Sequence, residues 1–275
     1  MNINIGLDPI LLELGGVAIL RWYSLAITVA IFVAVWLTDR EMHRKGMDTS
    51  NYGGIATWAI VLGIIGARVF HIFDDLDGYL SDPARMLQIY RGGLAIWGAV
   101  IGGFLGVVIS TRIYKMPLLP MIDAIAPGLV LGQALGRFGN IVNGDAWGAP
   151  APDAWFTFTY TNPESFIPNR LLGVPTHPYP VYDMALNLAV FALIMWLRKK
   201  DLPHGGLFAI YLLVYGFGRV FVHSLREEVV WFWGLQNAQV FSILGMMAGA
   251  LGLAYLYWRR QRHQENAPPP VGVTR

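Results

Sequence analysis

The sequence contains no cysteine. That excludes disulfides, thiolate metal ligands and a cysteine nucleophile supplied by the chain itself. If a thiol takes part in its chemistry, a partner must bring it. Charge is also scarce, at 14% of 275 residues with a net of +2, too little to build a nucleic-acid surface, so no nucleic acid is expected as a partner. No HExxH, CxxC or EF-hand pattern occurs, so neither a metal site nor a cofactor is expected. The first twenty residues carry Asp8 and Glu13 but no Lys or Arg. They therefore lack the basic region of a cleavable signal peptide, and the first apolar run is expected to be retained.

What is abundant is apolar side chain, at 55% of residues, a composition that belongs in a lipid bilayer. Since about 20 mostly apolar residues cross the hydrocarbon core, spans are predicted near 17–38, 53–73, 92–111, 119–136, 181–197, 206–223 and 237–258. The fourth is interrupted by Asp123 and Pro127. Arg40, Arg44 and Lys45, then Arg112 and Lys115, then Arg198, Lys199 and Lys200, then Arg259, Arg260 and Arg262 fall on one side if the spans alternate. By the positive-inside rule that side is cytoplasmic and the N-terminus is outside. The fold expected is an all-α integral membrane protein of about seven transmembrane helices, forming one polytopic domain over residues 1–262. Residues 146–180, rich in proline and holding the strand-like "WFTFTYT", would form a small extracytoplasmic cap. Residues 263–275 read as a disordered cytoplasmic tail. Glycines at 98, 102 and 106 and at 245 and 249 recur every four residues, the spacing that lets membrane helices approach closely.

With the cytoplasmic clusters set aside, Arg21, Arg68, Arg137, Arg219 and Arg226 remain within a span or close to its outer end. Each needs a partner or a wet cavity, because a charge near mid-membrane costs at least about 2.5–3.5 kcal/mol. Tyr215, Arg219, His223 and Arg226 follow at intervals of four, four and three, which places them on one stripe of the sixth helix. Two outcomes are open. The arginines pair with Asp123, Asp145, Asp183 and Glu227 or snorkel to headgroups, or they hold an anion, for which a lipid phosphate matches the planar guanidinium fork.

"GRFGNIVNGDAWG" leaves the fourth span with Arg137, Asn140, Asn143 and Asp145. Arg137 would face a phosphate, Gly136, Gly139 and Gly144 would let backbone amides approach it, and Asn140 and Asn143 would donate to glycerol or phosphate oxygens. Asparagines in a glycine-rich turn also serve simply as turn formers. "THPYPVYD" places His177, able to exchange a proton near neutral pH, just before the fifth span.

These blocks, with "LRWYSL", "GARVFH", "GGLAIWGAVIGG" and "YGFGRVFVHSLRE" in the same order, resemble those of the bacterial prolipoprotein diacylglyceryl transferases through nearly the whole chain. The resemblance implies a multi-pass enzyme of the bacterial cytoplasmic (inner) membrane. It would move the diacylglyceryl group of phosphatidylglycerol onto the lipobox cysteine of a prolipoprotein, making a thioether and releasing glycerol phosphate. The partners it implies are phosphatidylglycerol, the prolipoprotein signal peptide and the surrounding membrane lipids. On that reading Arg137 and Arg219 neutralise the departing phosphate, with Asp145 or Asp183 orienting them. Tyr23, Arg68, Asn140, Asn143, Tyr215 and Arg226 bind substrate, and Gly148 closes the turn. Three positions depart from the family pattern: Trp97 stands where a histidine is common, Asp145 where glutamate is common, and His223 where a carboxylate is common. Trp97 cannot accept a proton, so the base is His177 or a nearby carboxylate, or else positive potential alone lowers the thiol pKa.

The same arginine cluster would also suit an anion or lipid transporter, which favours charges spread through the membrane depth and broken helices in paired repeats. Here they gather at one end. "VYD" and "NGD" faintly suggest a two-aspartate protease, but Val142 precedes Asn143 where that motif needs glycine.

Overall fold

The computed structural model describes residues 1–15, 17–89, 92–228 and 230–265. Among them are seven helices long and apolar enough to cross a membrane: α1 (Trp22–Arg44), α2 (Tyr52–Asp74), α4 (Ile96–Ile113), α5 (Leu118–Asn143), α6 (Tyr179–Leu197), α7 (Gly206–His223) and α8 (Asn237–Glu265). A short helix, α3 (Leu76–Ser81), follows α2. The helical, multi-pass expectation therefore holds. Of the expected tail, 263–265 continue α8 and 266–275 lie outside the described residues.

The chain divides into two compact units, residues 39–124 and the remainder. In the first, α2 and α4 lie against each other along glycine. A Cβ on Gly98 would strike Gly66 O, one on Gly102 would strike Leu62 O, and one on Gly106 would come within 2.5 Å of Trp58 O. Lipid tails give apolar helices no hydrophobic reason to associate, so backbone approach at small residues does the work. Arg68 of α2 is buried here and donates from Nε to Met86 O at 3.0 Å and from Nη1 to Gly92 O and Gly93 O at 2.8 and 2.9 Å, while Nη2 donates to Arg85 O. Its guanidinium is thereby committed to the loop backbone of its own unit. Asp123 pairs with Lys45 at 3.6 Å, and Trp97 is the second residue of α4.

In the second unit, α5 continues through Pro127 as one helix. Gly128 and Gly139 are close-approach points to α1, and a Cβ on Gly139 would come within 2.9 Å of Tyr23. The helix extends to Asn143, past the predicted end at 136, so Gly136 and Gly139 lie inside it. Their amides therefore serve the helix ladder, contrary to the expectation that they would approach a phosphate. Gly249 sets α8 against α7 at Ala209 O, whereas Gly245 meets nothing. Small residues and a few large ones, Ala126, Val130, Val190, Ile194, Leu207 and Tyr211, fill the centre between α5, α6 and α7.

The first helix starts at Trp22, five residues later than expected, because 17–21 pair in a hairpin. β2 (Ile10–Leu14) and β3 (Val17–Arg21) run antiparallel, with Gly15 at φ +60°, the left-handed conformation such turns require. β1 (Asn2–Ile5) pairs in parallel with β4 (Thr157–Tyr160), so the "WFTFTYT" strand exists and its partner is the N-terminal segment. Phe158, Tyr160, Ile167 and Leu171 form a small core beneath it. β5 (Val230–Phe232) and β6 (Leu235–Gln236) form a hairpin before α8.

Candidate active site

Three helices of the second unit each contribute polar residues at helical spacing to one place. α5 brings Arg137 and Asn140, α6 brings Tyr179, Asp183 and Asn187, and α7 brings Tyr215, Arg219 and His223. Asp183, with no exposure, takes Arg137 Nε on Oδ2 at 2.5 Å, and Arg219 Nη1 lies 3.8 Å from the same oxygen. Arg219 Nη1 also donates to the Tyr215 hydroxyl, as the four-residue stripe on α7 predicted. Behind it, Tyr215 stacks on Tyr211 at 5.6 Å and 10°, and Gln133 donates to the Tyr211 hydroxyl at 2.9 Å.

Arg137 continues outward through the "GRFGNIVNGDAWG" block. Its Nη1 donates to Asn140 Oδ1 at 2.9 Å. Asn140 Nδ2 donates to Asp145 Oδ1 at 2.7 Å, and Asn143 Nδ2 donates to Asp145 Oδ2 at 2.9 Å. Asp145 thus organises two amides and reaches Arg137 only through Asn140. Gly144, at φ +74°, terminates α5 and turns the chain so that Asp145 can fold back over the last turn. Tyr23, opposite Gly139, lies within electrostatic reach of Asp145 and Arg137.

The turn is then sewn to its neighbours by backbone. Gly148 bridges to Arg226, Ala149 N donates to Leu225 O, and His177 N donates to Ala149 O, both at 2.9 Å. A Cβ on Gly148 would run into His177 O, which explains why glycine closes the turn. The His177 imidazole is half-buried, its nearest polar neighbour Tyr182 Oη at 3.5 Å, too long for a well-formed hydrogen bond. Among the described residues its ring forms no hydrogen bond with an arginine.

Arg226, expected on the α7 stripe, lies just beyond the helix end. Its guanidinium carbon is 5.5 Å from the centre of the Tyr179 ring, and that of Arg137 is 5.9 Å from the same centre. Glu228 Oε1 sits 3.6 Å from Arg226 Nη1, and Glu228 Oε2 sits 2.7 Å from His223 Nε2. The hydrogen bond from His223, aided by Arg226, holds the Glu228 carboxyl below the usual carboxylate range. His223 has no exposure, and its Nδ1 is 2.9 Å from the Tyr179 hydroxyl. Tyr179 and Glu228 were missed from the sequence. Tyr179 could have been found as the residue one turn before Asp183, whereas nothing in "REE" distinguishes Glu228 from Glu227.

Of the carboxylates considered as partners, Asp123 serves Lys45, Glu227 serves Arg170 at 2.8 Å, Asp145 serves the asparagines, and Asp183 alone meets Arg137 and Arg219. Two guanidinium groups therefore share one carboxylate oxygen. Both keep part of their surface open, 17% for Arg137 and 16% for Arg219. Such an arrangement carries residual positive charge and free N–H donors, which suits a phosphate. Among the described residues no cluster of metal-binding side chains occurs.

Residues 9–255 match the family model for prolipoprotein diacylglyceryl transferase. The chain is 33% identical to a protein of Thermosynechococcus vestitus, over 90% of this chain and 92% of that one. It is 32% identical to one of Synechococcus elongatus over 96% and 92%, and 33% identical to one of Lysinibacillus sphaericus over 90% and 92%. All three bear the name phosphatidylglycerol–prolipoprotein diacylglyceryl transferase. With that coverage and the arginine block in place, the chain belongs to the prolipoprotein diacylglyceryl transferase family.

Proposed function

We propose that this protein, a multi-pass protein of the bacterial inner membrane, transfers the diacylglyceryl group of phosphatidylglycerol to the lipobox cysteine thiol of a prolipoprotein, with the site at the outer face. The observation that carries the reading is the pairing of Arg137 and Arg219 with a single shared carboxylate oxygen. The lipid phosphate completes the charge balance, and the acceptor supplies the thiol that the chain lacks.

In the reaction the thiolate attacks the glyceryl carbon bonded to a phosphate oxygen. The new C–S bond forms as that C–O bond breaks, and the electron pair leaves with glycerol phosphate. The diester carries one negative charge and the departing monoester gains a second, so guanidinium groups at the phosphate stabilise the transition state more than the ground state. A preorganised donor of this kind contributes about 2.7–4 kcal/mol. Asn140, held by Asp145, positions Arg137 and has one amide N–H left for the headgroup, while Tyr23, Asn143, Tyr215 and Arg226 complete its binding. The donors of Arg68 serve backbone carbonyls of its own unit. An unperturbed thiol has a pKa of about 8.5, so its proton needs an acceptor. His177 is the proposed one. It lies against Gly148 of the turn.

The experiment is direct. Purified protein in phosphatidylglycerol micelles is incubated with a lipobox peptide, and the product is weighed by mass spectrometry. The peptide gains one diacylglyceryl unit. Arg137→Ala and Arg219→Ala abolish the gain while remaining folded, and normal turnover by both variants would remove the phosphate-site reading.

A further inference from the structure

A buried histidine stands at the end of α7 with both ring nitrogens engaged, and the reaction chemistry above does not use it. Carboxylate oxygens only accept, so the 2.7 Å contact to Glu228 puts the proton on His223 Nε2. In the neutral ring Nδ1 is then an acceptor, and the Tyr179 hydroxyl donates to it at 2.9 Å. With no exposure at either Tyr179 or His223, a substrate thiol has no access to the imidazole or to the hydroxyl bonded to it. What the chain does touch is the placement of cations. The Tyr179 ring underlies both Arg137 and Arg226, and Glu228 reaches Arg226 with the oxygen that His223 leaves free.

We propose that His223, as a neutral imidazole donating to Glu228 and accepting from Tyr179, is a positioning residue that sets the Arg226 guanidinium, and the ring beneath it, against the lipid phosphate. The proposal rests on the phosphate-site reading above. Arg226 sits in a loop beyond the helix, and a long arginine side chain there loses considerable rotamer freedom when held in one geometry. The brace removes that freedom before the lipid arrives, so less is lost on binding. Arg226 would grip the phosphate about equally before and during C–O cleavage. Its placement therefore governs affinity for phosphatidylglycerol, and kcat depends on Arg137 and Arg219.

A pH signature follows. The charged and titratable groups facing His223 are Tyr179 from α6, Arg219 from its own helix, and Arg226 and Glu228 from the loop that follows. When His223 takes a proton, both nitrogens become donors and the Tyr179 hydroxyl loses its acceptor, although the bond to Glu228 survives. The Tyr179 oxygen then accepts from Nδ1 while its own buried proton is left without an acceptor, so the brace weakens in acid, and the KM for phosphatidylglycerol should rise there with kcat following its own profile.

The test compares His223→Leu, His223→Gln, Tyr179→Phe and Glu228→Gln in phosphatidylglycerol micelles with a lipobox peptide, each checked for folding by thermal unfolding. Glutamine can donate to Glu228 and accept from Tyr179 but does not titrate. His223→Leu and Tyr179→Phe should raise the KM for phosphatidylglycerol by about tenfold with kcat within about threefold of the parent, the size expected for lost hydrogen bonds in a charged network. Glu228→Gln should raise KM by a smaller factor. His223→Gln should restore most of the affinity and abolish the acid rise in KM. If His223→Gln loses as much as His223→Leu, the imidazole acts by carrying protons and the positioning role is overturned. An unchanged KM in folded Glu228→Gln and Tyr179→Phe overturns it as well. If instead Arg137→Ala and Arg219→Ala turn over normally, it is the phosphate-site reading that has failed, a result separable from both of these.

Discussion

Arg137 and Asp183 meet across α5 and α6, Nε on Oδ2 at 2.5 Å, with the carboxylate wholly buried and the guanidinium still 17% open. The asymmetry matters. A buried ion pair closed on both sides would be structural, whereas here the cation keeps part of its surface open and donors to spare while its counter-ion is wholly enclosed. Asp183→Asn keeps the shape and removes the charge, leaving two adjacent guanidinium groups facing each other with no carboxylate between them. Breaking a buried pair in this way costs about 3–5 kcal/mol. The expected outcome is a clear drop in thermal unfolding temperature together with loss of transfer activity, partly relieved when phosphatidylglycerol is added before heating. No relief by the lipid would argue that the surplus charge is not there to meet a phosphate.

Asp145 holds two asparagine amides and no arginine. Asp145→Ala therefore frees Asn140, and through it the Nη1 of Arg137, without uncovering a charge pair. Activity should fall by about 10–100-fold, in line with the loss of a residue that orients a group in contact with substrate. Unfolding temperature should change far less than in Asp183→Asn. Equal thermal losses in the two variants would mean that Asp145 is mainly a fold determinant.

Gly148 has no room for a methyl group, since His177 O and Cβ occupy the place where its Cβ would lie. Gly148→Ala should push the 148–149 strand segment off 225–226 and 177, where the backbone bonds from Ala149 and His177 run. A cost of about 1–3 kcal/mol is expected for such overpacking. The accompanying loss of activity should exceed that of Gly245→Ala, which meets nothing within 4 Å. Parity between the two variants in a transfer assay would count against a tight turn at Gly148.

For His177 the measurement is a pH–rate profile. If its imidazole takes the thiol proton, His177→Ala loses the acid limb of kcat/KM, the limb that reports an essential base in the free enzyme. An unchanged profile removes His177 as base and leaves the positive potential of the arginines to generate the thiolate.

Much of this architecture is legible in the chain because a bilayer imposes length and apolarity on anything that crosses it, so each span announces itself within a few residues. The α7 stripe was legible for the same kind of reason. Tyr215 and Arg219 four apart must lie one above the other on a helix, and they are hydrogen-bonded. What could not be read depends on distant partners. Residues 17–21 look like the start of a span until β3 finds β2, and nothing in the first five residues announces that β1 meets β4, with Asn2 bonded to Thr157 across 155 positions. Gly136 and Gly139 look like a turn because glycine usually ends helices, whereas here Gly139 buries its missing side chain against Tyr23. Glu227 and Glu228 are chemically identical neighbours. One turns outward to Arg170 and the other inward to His223, and no periodicity separates them in a loop.

That divergence yields a last prediction. The hydrogen bond from His223 depresses the Glu228 carboxyl pKa in the folded protein, so the folded state binds this proton less readily than the unfolded chain does. Glu228 therefore contributes stability that is fully present above the ordinary carboxylate pKa and is lost as pH falls through the lower, folded value. Glu228→Gln removes the contribution at neutral pH and has nothing left to remove in strong acid. Thermal unfolding of the two proteins should differ by about 1–3 °C at pH 7, given a partly exposed ion pair of modest strength, and the two curves should converge below about pH 4. Glu227→Gln, whose partner Arg170 is largely exposed at 58%, should show a smaller difference at neutral pH. A gap for Glu228→Gln that widened on acidification would show that the carboxyl is held as the neutral acid in the fold, and His223 would then lack the acceptor that fixes its proton on Nε2.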